Sequence, residues 1–128
     1  MNKTVAFDVD DVLCFRDETL PVESTIGPKK YEGCRPNPDK IQLLNDCYDE
    51  GYTIVLYTSR GMGQFKGDGK QCEKELREVT IRLLDEWGAK YHQIVFGKIH
   101  FDLLIDDKVR NSENTHNLQD IKTALGDS

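Results

Sequence analysis

Two short apolar runs, separated by an amphipathic helix pattern, constrain the fold of this chain more than any other feature. The runs are Thr4 to Phe7 and Tyr52 to Tyr57, and the helix pattern between them begins at Pro38 and ends at Gly51. A longer helix pattern follows, whose apolar face is formed by Leu76, Val79, Leu83 and Trp87. This alternation of strand and helix predicts a three-layer α/β domain around a mostly parallel sheet.

The rest of the chain adds two apolar runs, an insertion and a closing helix. Ile94 to Phe96 and Leu103 to Ile105 are predicted strands, and Leu118 to Leu125 is a predicted helix. The stretch between these two runs is too short for an ordinary parallel crossover. Either the first run is a very short edge strand, or the chain crosses the sheet edge in an extended form. Phe15 to Arg35 is polar and irregular, which predicts a flap inserted into one domain spanning residues 1–128.

Composition argues against several classes of partner. The net charge is -6 and no block is rich in Lys or Arg, which disfavours nucleic acid. No apolar stretch is long enough to cross a membrane, and the first residues lack the pattern of a secretion signal. We therefore expect a cytoplasmic protein that acts on a small molecule. Cys14, Cys34, Cys47 and Cys72 show no C-x-x-C spacing, and we expect separate reduced thiols without a chemical role.

Polar residues follow three of the predicted strands, where the carboxyl ends of parallel strands would meet. They are Asp8 and Asp10, then Thr58 and Ser59, then Asp106 and Asp107. A single Asp after a strand is an ordinary turn former or helix cap, but the joint pattern is less common. Carboxylates this close would raise each other's pKa unless a cation lay between them. Oxygen ligands without His or Cys suit Mg²⁺.

The order of these segments resembles the haloacid dehalogenase (HAD) superfamily of phosphohydrolases. An apolar strand is followed by D-V-D-D-V-L, a second strand ends in T-S-R-G, and a third ends in I-D-D, so that the match spans Val5 to Lys108. The run F-G-K-x-x-x-D-x-x-I-D-D-K, from Phe96 to Lys108, is similar to small capsule-biosynthesis phosphatases of that superfamily. The resemblance implies a Rossmann-like HAD core with a short flap in place of a cap domain. Such an open site could be covered by a second copy of the chain.

The same resemblance implies roles for the residues of the D-x-D motif and for the acidic pair. Asp8 would attack phosphorus to form an aspartyl-phosphate, and Asp10 would transfer protons to the leaving group and from water. Asp106 would hold Mg²⁺ together with Asp8 and the backbone carbonyl of Asp10. Asp107 would orient a lysine or a metal-bound water.

Phosphate and substrate binding is assigned to residues after the second and later strands. Thr58 and Lys98 would bind the phosphoryl oxygens, and Ser59 and Arg60 are further candidates for contacting an anionic substrate. Lys108 takes the place of Lys98 if that side chain points away from the site.

The expected function is therefore a Mg²⁺-dependent phosphomonoester hydrolase acting on a small phosphorylated metabolite, with a sugar phosphate of polysaccharide biosynthesis favoured by the family likeness. A nucleotidase of the same superfamily is the alternative. A phosphoacceptor signalling module is a different class, but its acceptor Asp ends the third strand, whereas the middle strand here ends in Tyr57 and Thr58. A phosphate-binding protein that has lost catalysis is a further class, and the presence of both Asp8 and Asp10 gives no sign of such a loss.

Overall fold

A computed structural model of the chain describes residues 2–17, 19 and 27–127. In chain order the elements are β1 Thr4–Phe7, β2 Cys14–Phe15, α1 Lys29–Glu32, β3 Arg35–Pro36, α2 Pro38–Glu50, β4 Thr53–Thr58, α3 Gly69–Glu86, β5 Gln93–Phe96, a 3-10 turn Ser112–Asn114, and α4 Leu118–Leu125.

The main sheet has three parallel strands in the order β1, β4, β5. Phe7 is paired with Leu56, and Thr58 with Phe96, so the carboxyl ends of all three strands lie at one edge of the sheet. Ile54 and Leu56 of the central strand are fully buried, as a strand covered by helices requires. The predicted α/β class with a parallel sheet is confirmed, and β5 is the short edge strand that was one of the two expected alternatives.

The helices begin and end at residues that suit their termini. Gly51 ends α2 with a φ of 103°, a left-handed conformation that glycine adopts at little cost. Asp68 caps α3 by accepting hydrogen bonds from the N–H groups of Lys70 and Gln71. Asn37 lies at the N-cap position of α2, but its side chain donates instead to the carbonyl of Val12, at 3.1 Å. This bond ties the start of α2 to the loop that follows β1.

The predicted flap begins and ends with a pair of short strands. β2 and β3 are antiparallel, with Cys14 opposite Pro36 and Phe15 opposite Arg35. The short helix α1 lies between them and contacts α3. Residues 18 and 20–26 of the flap lie outside the described residues.

The strand expected at Leu103–Ile105 is not formed. This segment is irregular, and the exposed fractions of Leu103 and Ile105 are 77% and 89%. A strand requires a hydrogen-bonded neighbour as well as an apolar run, and in the described part of the sheet β1 and β5 are both left as edges. The prediction of a strand here was wrong for this structure. Without that strand, Asp106 and Asp107 are not held at the edge of the sheet as expected.

The core of the described residues is continuous between the sheet and its helices. α2 packs against β4 and α4, and α3 packs against β5 and α1. The largest fully buried apolar side chains are Leu13, Leu44, Ile54, Leu56, Leu76 and Leu84. Among the described residues, no helix is both long enough and apolar enough to cross a membrane.

Candidate active site

Three predicted site residues meet at the carboxyl edge of the sheet. Asp8 follows β1, Thr58 ends β4, and Lys98 comes two residues after β5. The N–H of Lys98 donates to the carbonyl of Thr58 at 3.1 Å, which extends the pairing of β4 and β5 by one further bond. Parallel strands therefore bring together residues that are far apart in the sequence.

Asp8 and Lys98 form a loose ion pair at this edge. Their closest atoms, Oδ2 and Nζ, are 3.5 Å apart, and the exposed fractions of the side chains are 36% and 18%. The other carboxylate oxygen of Asp8, Oδ1, accepts a hydrogen bond from the N–H of Val9 at 2.8 Å. Burial raises the pKa of Asp8, and the positive charge of Lys98 offsets part of that rise. Oδ2 is the oxygen left for a further partner.

Thr58 ends β4, the strand between β1 and β5, and Ser59 follows it directly. Thr58 is fully buried, and its Oγ1 accepts a hydrogen bond from the N–H of Arg60 at 3.0 Å, so its own hydroxyl hydrogen remains to be donated. Ser59 is half-buried, and its carbonyl accepts from the N–H of Met62. Of the two, Thr58 lies within β4, whose neighbours β1 and β5 lead into Asp8 and Lys98.

The assignment of Arg60 to substrate binding requires its side chain to face solvent. Arg60 is instead only 2% exposed, and it pairs with Asp10. Nε and Nη2 donate to Oδ2 and Oδ1 of Asp10, each at 2.9 Å, which is the two-pronged geometry that a guanidinium favours. Nη1 donates to Oγ1 of Thr80 in α3 at 2.9 Å, and the guanidinium lies over the ring of Tyr31 at 4.3 Å. Burial lowers the pKa of Arg60, but the Asp10 carboxylate outweighs this effect and raises it. The role expected for Arg60 is thereby corrected: it holds Asp10.

Local backbone geometry places Asp10 against Arg60. The carbonyl of Val9 accepts hydrogen bonds from the N–H groups of Leu13 and Cys14, and the N–H of Asp11 donates to the carbonyl of Cys14. Asp11 has a φ of 64°, a left-handed conformation that Asp tolerates better than most residues. On the other side, Gly61 has a φ of 78°, and a Cβ there would lie 2.7 Å from Cδ1 of Leu76. A tight turn therefore follows each of the two paired residues.

Two cysteines complete this buried group. Nη2 of Arg60 lies 3.5 Å from Sγ of Cys14 and 3.6 Å from Sγ of Cys34. One oxygen of Asp10 and the two sulfurs lie within 4.8 Å of one another. The interaction between the two thiols raises the pKa of Cys14 and lowers that of Cys34. The expectation of separate thiols does not hold for this pair.

Asp106 and Asp107 lie on the exposed segment that follows β5, and the structure does not bring them to Asp8. Both are exposed, and Oδ1 of Asp106 accepts a hydrogen bond from the N–H of Lys108 at 3.0 Å. This bond lowers the pKa of Asp106, with a further contribution from Asp107. Among the described residues, the three-ligand group of metal-binding type is Asp10, Cys14 and Cys34, so Asp8, Asp10 and Asp106 do not form the expected cluster.

Sequence reasoning missed the side chains that surround Arg60. Tyr31 comes from α1 in the flap, Thr80 from α3, and the two cysteines from the ends of the flap. None of these residues has a spacing relative to Arg60 that would indicate contact. The one available signal was the position of Arg60 itself, two residues beyond a strand end already assigned to the site.

Comparison with known proteins gives the fold but no activity. No protein-family model matches the chain, and no curated protein is significantly similar to it. The crystal structure of an MCSG target from Vibrio cholerae has a similar fold, with a TM-score of 0.75, 22% sequence identity, and coverage of 97% of each chain. At this level of identity the likeness shows the fold alone.

Proposed function

We propose that the chain is a phosphomonoester hydrolase of HAD type that acts through an aspartyl-phosphate. The observation that carries the proposal is the arrangement of Asp8, Thr58 and Lys98 at the ends of three adjacent parallel strands, with Lys98 3.5 Å from Asp8. A nucleophilic carboxylate beside a cation and a buried hydroxyl is what the transfer of a phosphoryl group requires.

Asp8 acts as the nucleophile through Oδ2. The N–H of Val9 holds Oδ1, and Oδ2 faces the ammonium group of Lys98. When a phosphate monoester enters, Lys98 and the hydroxyl of Thr58 bind its oxygens, neutralise negative charge and align phosphorus with Oδ2. The oxygen–phosphorus bond to Asp8 then forms as the bond to the leaving alcohol breaks.

Asp10 transfers the protons. It first takes up a proton from solvent as one of its oxygens leaves the Arg60 guanidinium, and it gives that proton to the leaving alkoxide. The carboxylate that results then removes a proton from the water that attacks the aspartyl-phosphate. Its exposed fraction is 20% on the side chain, so part of the carboxylate faces solvent while Arg60 holds both oxygens. Arg60 is accordingly a positioning residue, and a proton transfer requires one oxygen of Asp10 to give up a guanidinium contact.

Mg²⁺ belongs to the proposal as an expected cofactor, but the residues as placed do not fit it. Asp8 and the carbonyl of Asp10 supply two oxygens, whereas Asp106 lies on the exposed segment. The group of Asp10, Cys14 and Cys34 is unsuitable, because Mg²⁺ prefers oxygen to sulfur and a guanidinium already neutralises it. No step above is routed through a metal. Mg²⁺ dependence further requires Leu103–Asp106 to approach the open edge of β1.

The substrate is proposed to be a small phosphorylated metabolite. Sugar phosphates of polysaccharide biosynthesis are the first compounds to test, and nucleoside monophosphates are the alternative within the same chemistry. A screen of both sets with added Mg²⁺, and again with EDTA, measures released phosphate and tests the reaction, the metal and the substrate together. We expect turnover of at least one set, lost in Asp8→Asn, and the EDTA arm shows whether that turnover requires Mg²⁺.

Trapping the intermediate separates an enzyme from a phosphoacceptor module. Asp10→Asn should slow hydrolysis of the aspartyl-phosphate, so acid-quenched protein should gain the mass of one phosphoryl group on the peptide that contains Asp8. A stable phosphoryl group on the unaltered chain without phosphate release would favour the acceptor module. Full turnover by Asp8→Asn would refute the proposal, and turnover that survives exhaustive EDTA would remove Mg²⁺ from it.

A further inference from the structure

The buried group of Cys14, Cys34 and Arg60 has a chemistry that the proposed phosphate transfer does not use. Cys14 belongs to β2 and Cys34 immediately precedes β3, so the two sulfurs lie at opposite ends of the flap. Both side chains are buried, with exposed fractions of 0% and 7%. Their sulfurs lie within 4.8 Å of each other. Both thiols are free in this structure, and two thiols this close, twenty residues apart in sequence, can share a metal ion or be joined by a disulfide.

A metal ion is disfavoured by what already lies between the ligands. The guanidinium of Arg60 contacts both oxygens of Asp10 and both sulfurs, so a positive charge already occupies the place that a cation would take. Thr80 and Tyr31 fix the guanidinium from two other sides. A metal would have to displace a buried charge from five hydrogen bonds and from the ring of Tyr31, and Zn²⁺ would still lack a fourth ligand.

We propose that Cys14 and Cys34 form a reversible disulfide that joins the two ends of the flap beside Asp10. The bond requires the sulfurs to approach to about 2.05 Å with the Cβ atoms about 3.5–4.5 Å apart. β2 and β3 each have two residues and form a sheet of their own, with one further bridge between Cys14 and Asp10. The two ends of the flap can therefore adjust without breaking the three-stranded sheet.

We take hydrogen peroxide as the oxidant, because its two-electron reduction to water balances the oxidation of two thiols. The sulfur of Cys34, the more exposed of the pair, attacks one peroxide oxygen, the O–O bond breaks, and Cys34 becomes a sulfenic acid as water leaves. The sulfur of Cys14 then attacks the sulfur of Cys34, the S–O bond breaks, and the proton of Cys14 leaves with the hydroxide as water. Two thiols are oxidised to one disulfide while hydrogen peroxide is reduced to water. A dithiol reverses the reaction by exchange.

The other two cysteines supply matched controls. Cys47 is buried in α2, and burial raises its pKa to about 11. Cys72 is buried in α3, with its sulfur 3.7 Å from the sulfur of Met62. Burial raises the pKa of Cys72 as well. Both thiols should therefore react with peroxide more slowly than Cys34, whose pKa is lowered.

The test treats the full-length protein with hydrogen peroxide, alkylates the remaining thiols after denaturation, and maps unreduced peptides by mass spectrometry. We expect two of the four thiols to be lost, one peptide pair joined through Cys14 and Cys34, and recovery of all four thiols with dithiothreitol. Cys34→Ser should abolish the linked pair, whereas Cys47→Ser should retain it. Since these readouts are chemical, they do not depend on the phosphatase proposal.

Three outcomes would overturn the disulfide. All four thiols could remain after peroxide treatment, Cys34 could stop at a sulfinic acid with Cys14 still reduced, or the linked peptides could contain Cys47 or Cys72. Stoichiometric Zn²⁺ binding that protects both flap thiols, and that is lost in Cys34→Ser, would also refute it in favour of a metal site. Mapping of the unaltered chain keeps the test decisive even if Cys34→Ser fails to fold.

Discussion

The ion pair between Asp10 and Arg60 should be the most costly charged contact to break in the described part of the chain. The exposed fractions of the two side chains are 20% and 1%, and every other ion pair in that part is more exposed. We expect Asp10→Asn and Arg60→Met to destabilise the fold, because each leaves the partner charge in a poorly solvated place.

The magnitude follows from the burial of the pair. Removing one partner of a buried ion pair costs about 3–5 kcal/mol of stability. Because Asp10 is partly exposed, we expect each single variant to lose about 3 kcal/mol. The entropy of unfolding is about 2.1 cal/mol/K per residue, or about 0.27 kcal/mol/K for 128 residues. A loss of about 3 kcal/mol then lowers Tm by about 11 °C. The double variant removes both charges, so it should be more stable than the sum of the single losses predicts, by about 2 kcal/mol.

The assay is thermal and urea unfolding of the unaltered chain, both single variants and the double variant, with Arg77→Met and Glu73→Gln as a matched pair of controls. Arg77 and Glu73 form an ion pair at 3.5 Å on α3 with both side chains 49% exposed, and their coupling should be below about 0.5 kcal/mol. Single losses below about 1 kcal/mol, additive in the double variant within about 0.5 kcal/mol, would show that Asp10 and Arg60 are not coupled as the structure indicates. Because the readout is stability, the result is independent of the proposed role of Asp10 in catalysis.

The other two predictions concern Asp8 and the lysines. Asp8→Asn should raise Tm at about pH 7, with a gain in the free energy of unfolding below about 1 kcal/mol because more than a third of the side chain is exposed. Burial raises the pKa of Asp8, so ionisation of this side chain destabilises the folded state at neutral pH. The gain in stability from Asp8→Asn should therefore vanish when the protein is melted below pH 3.8, the ordinary pKa of Asp. A lower Tm of the variant at neutral pH would contradict this prediction. Lys98→Met should lower kcat/KM for phosphate release by about 100-fold, with Lys108→Met near the unaltered value. Equal losses of kcat/KM in the two variants would mean that the contact between Lys98 and Asp8 does not contribute to the reaction.

Much of the fold could be predicted because its signals are local. The bounds of β1 and α4 agree with the sequence patterns, since an apolar run and a capped amphipathic segment identify such elements by themselves. Leu103–Ile105 has a run of the same kind but no strand beside it in this structure. A strand depends on a partner elsewhere in the chain, and a single apolar run does not specify that partner.

The candidate site shows the same difference between what local signals predict and what depends on partners elsewhere in the chain. Asp8 and Lys98 could be predicted to meet, because the ends of parallel strands converge whatever their side chains are. The burial of Arg60 could not, because it depends on Tyr31, Thr80 and Asp10 supplying contacts from the flap, α3 and the loop after β1. A charged side chain is ordinarily assigned to the surface, and only its partners show otherwise.

The two carboxylates of the D-x-D motif, Asp8 and Asp10, are paired with different cations. This difference supports the separate roles proposed for them. Asp8 has an unfixed oxygen 3.5 Å from a lysine that is itself partly exposed, so the oxygen can reach an entering phosphorus atom. Asp10 has both oxygens held at 2.9 Å by a buried guanidinium that is fixed in turn by Thr80. A nucleophile must bring its carboxylate to phosphorus to form a bond, whereas proton transfer asks only one oxygen of Asp10 to leave the guanidinium while the other stays bound. Exchange of the two roles would require Asp10 to leave the buried guanidinium unpaired, which is the more costly motion.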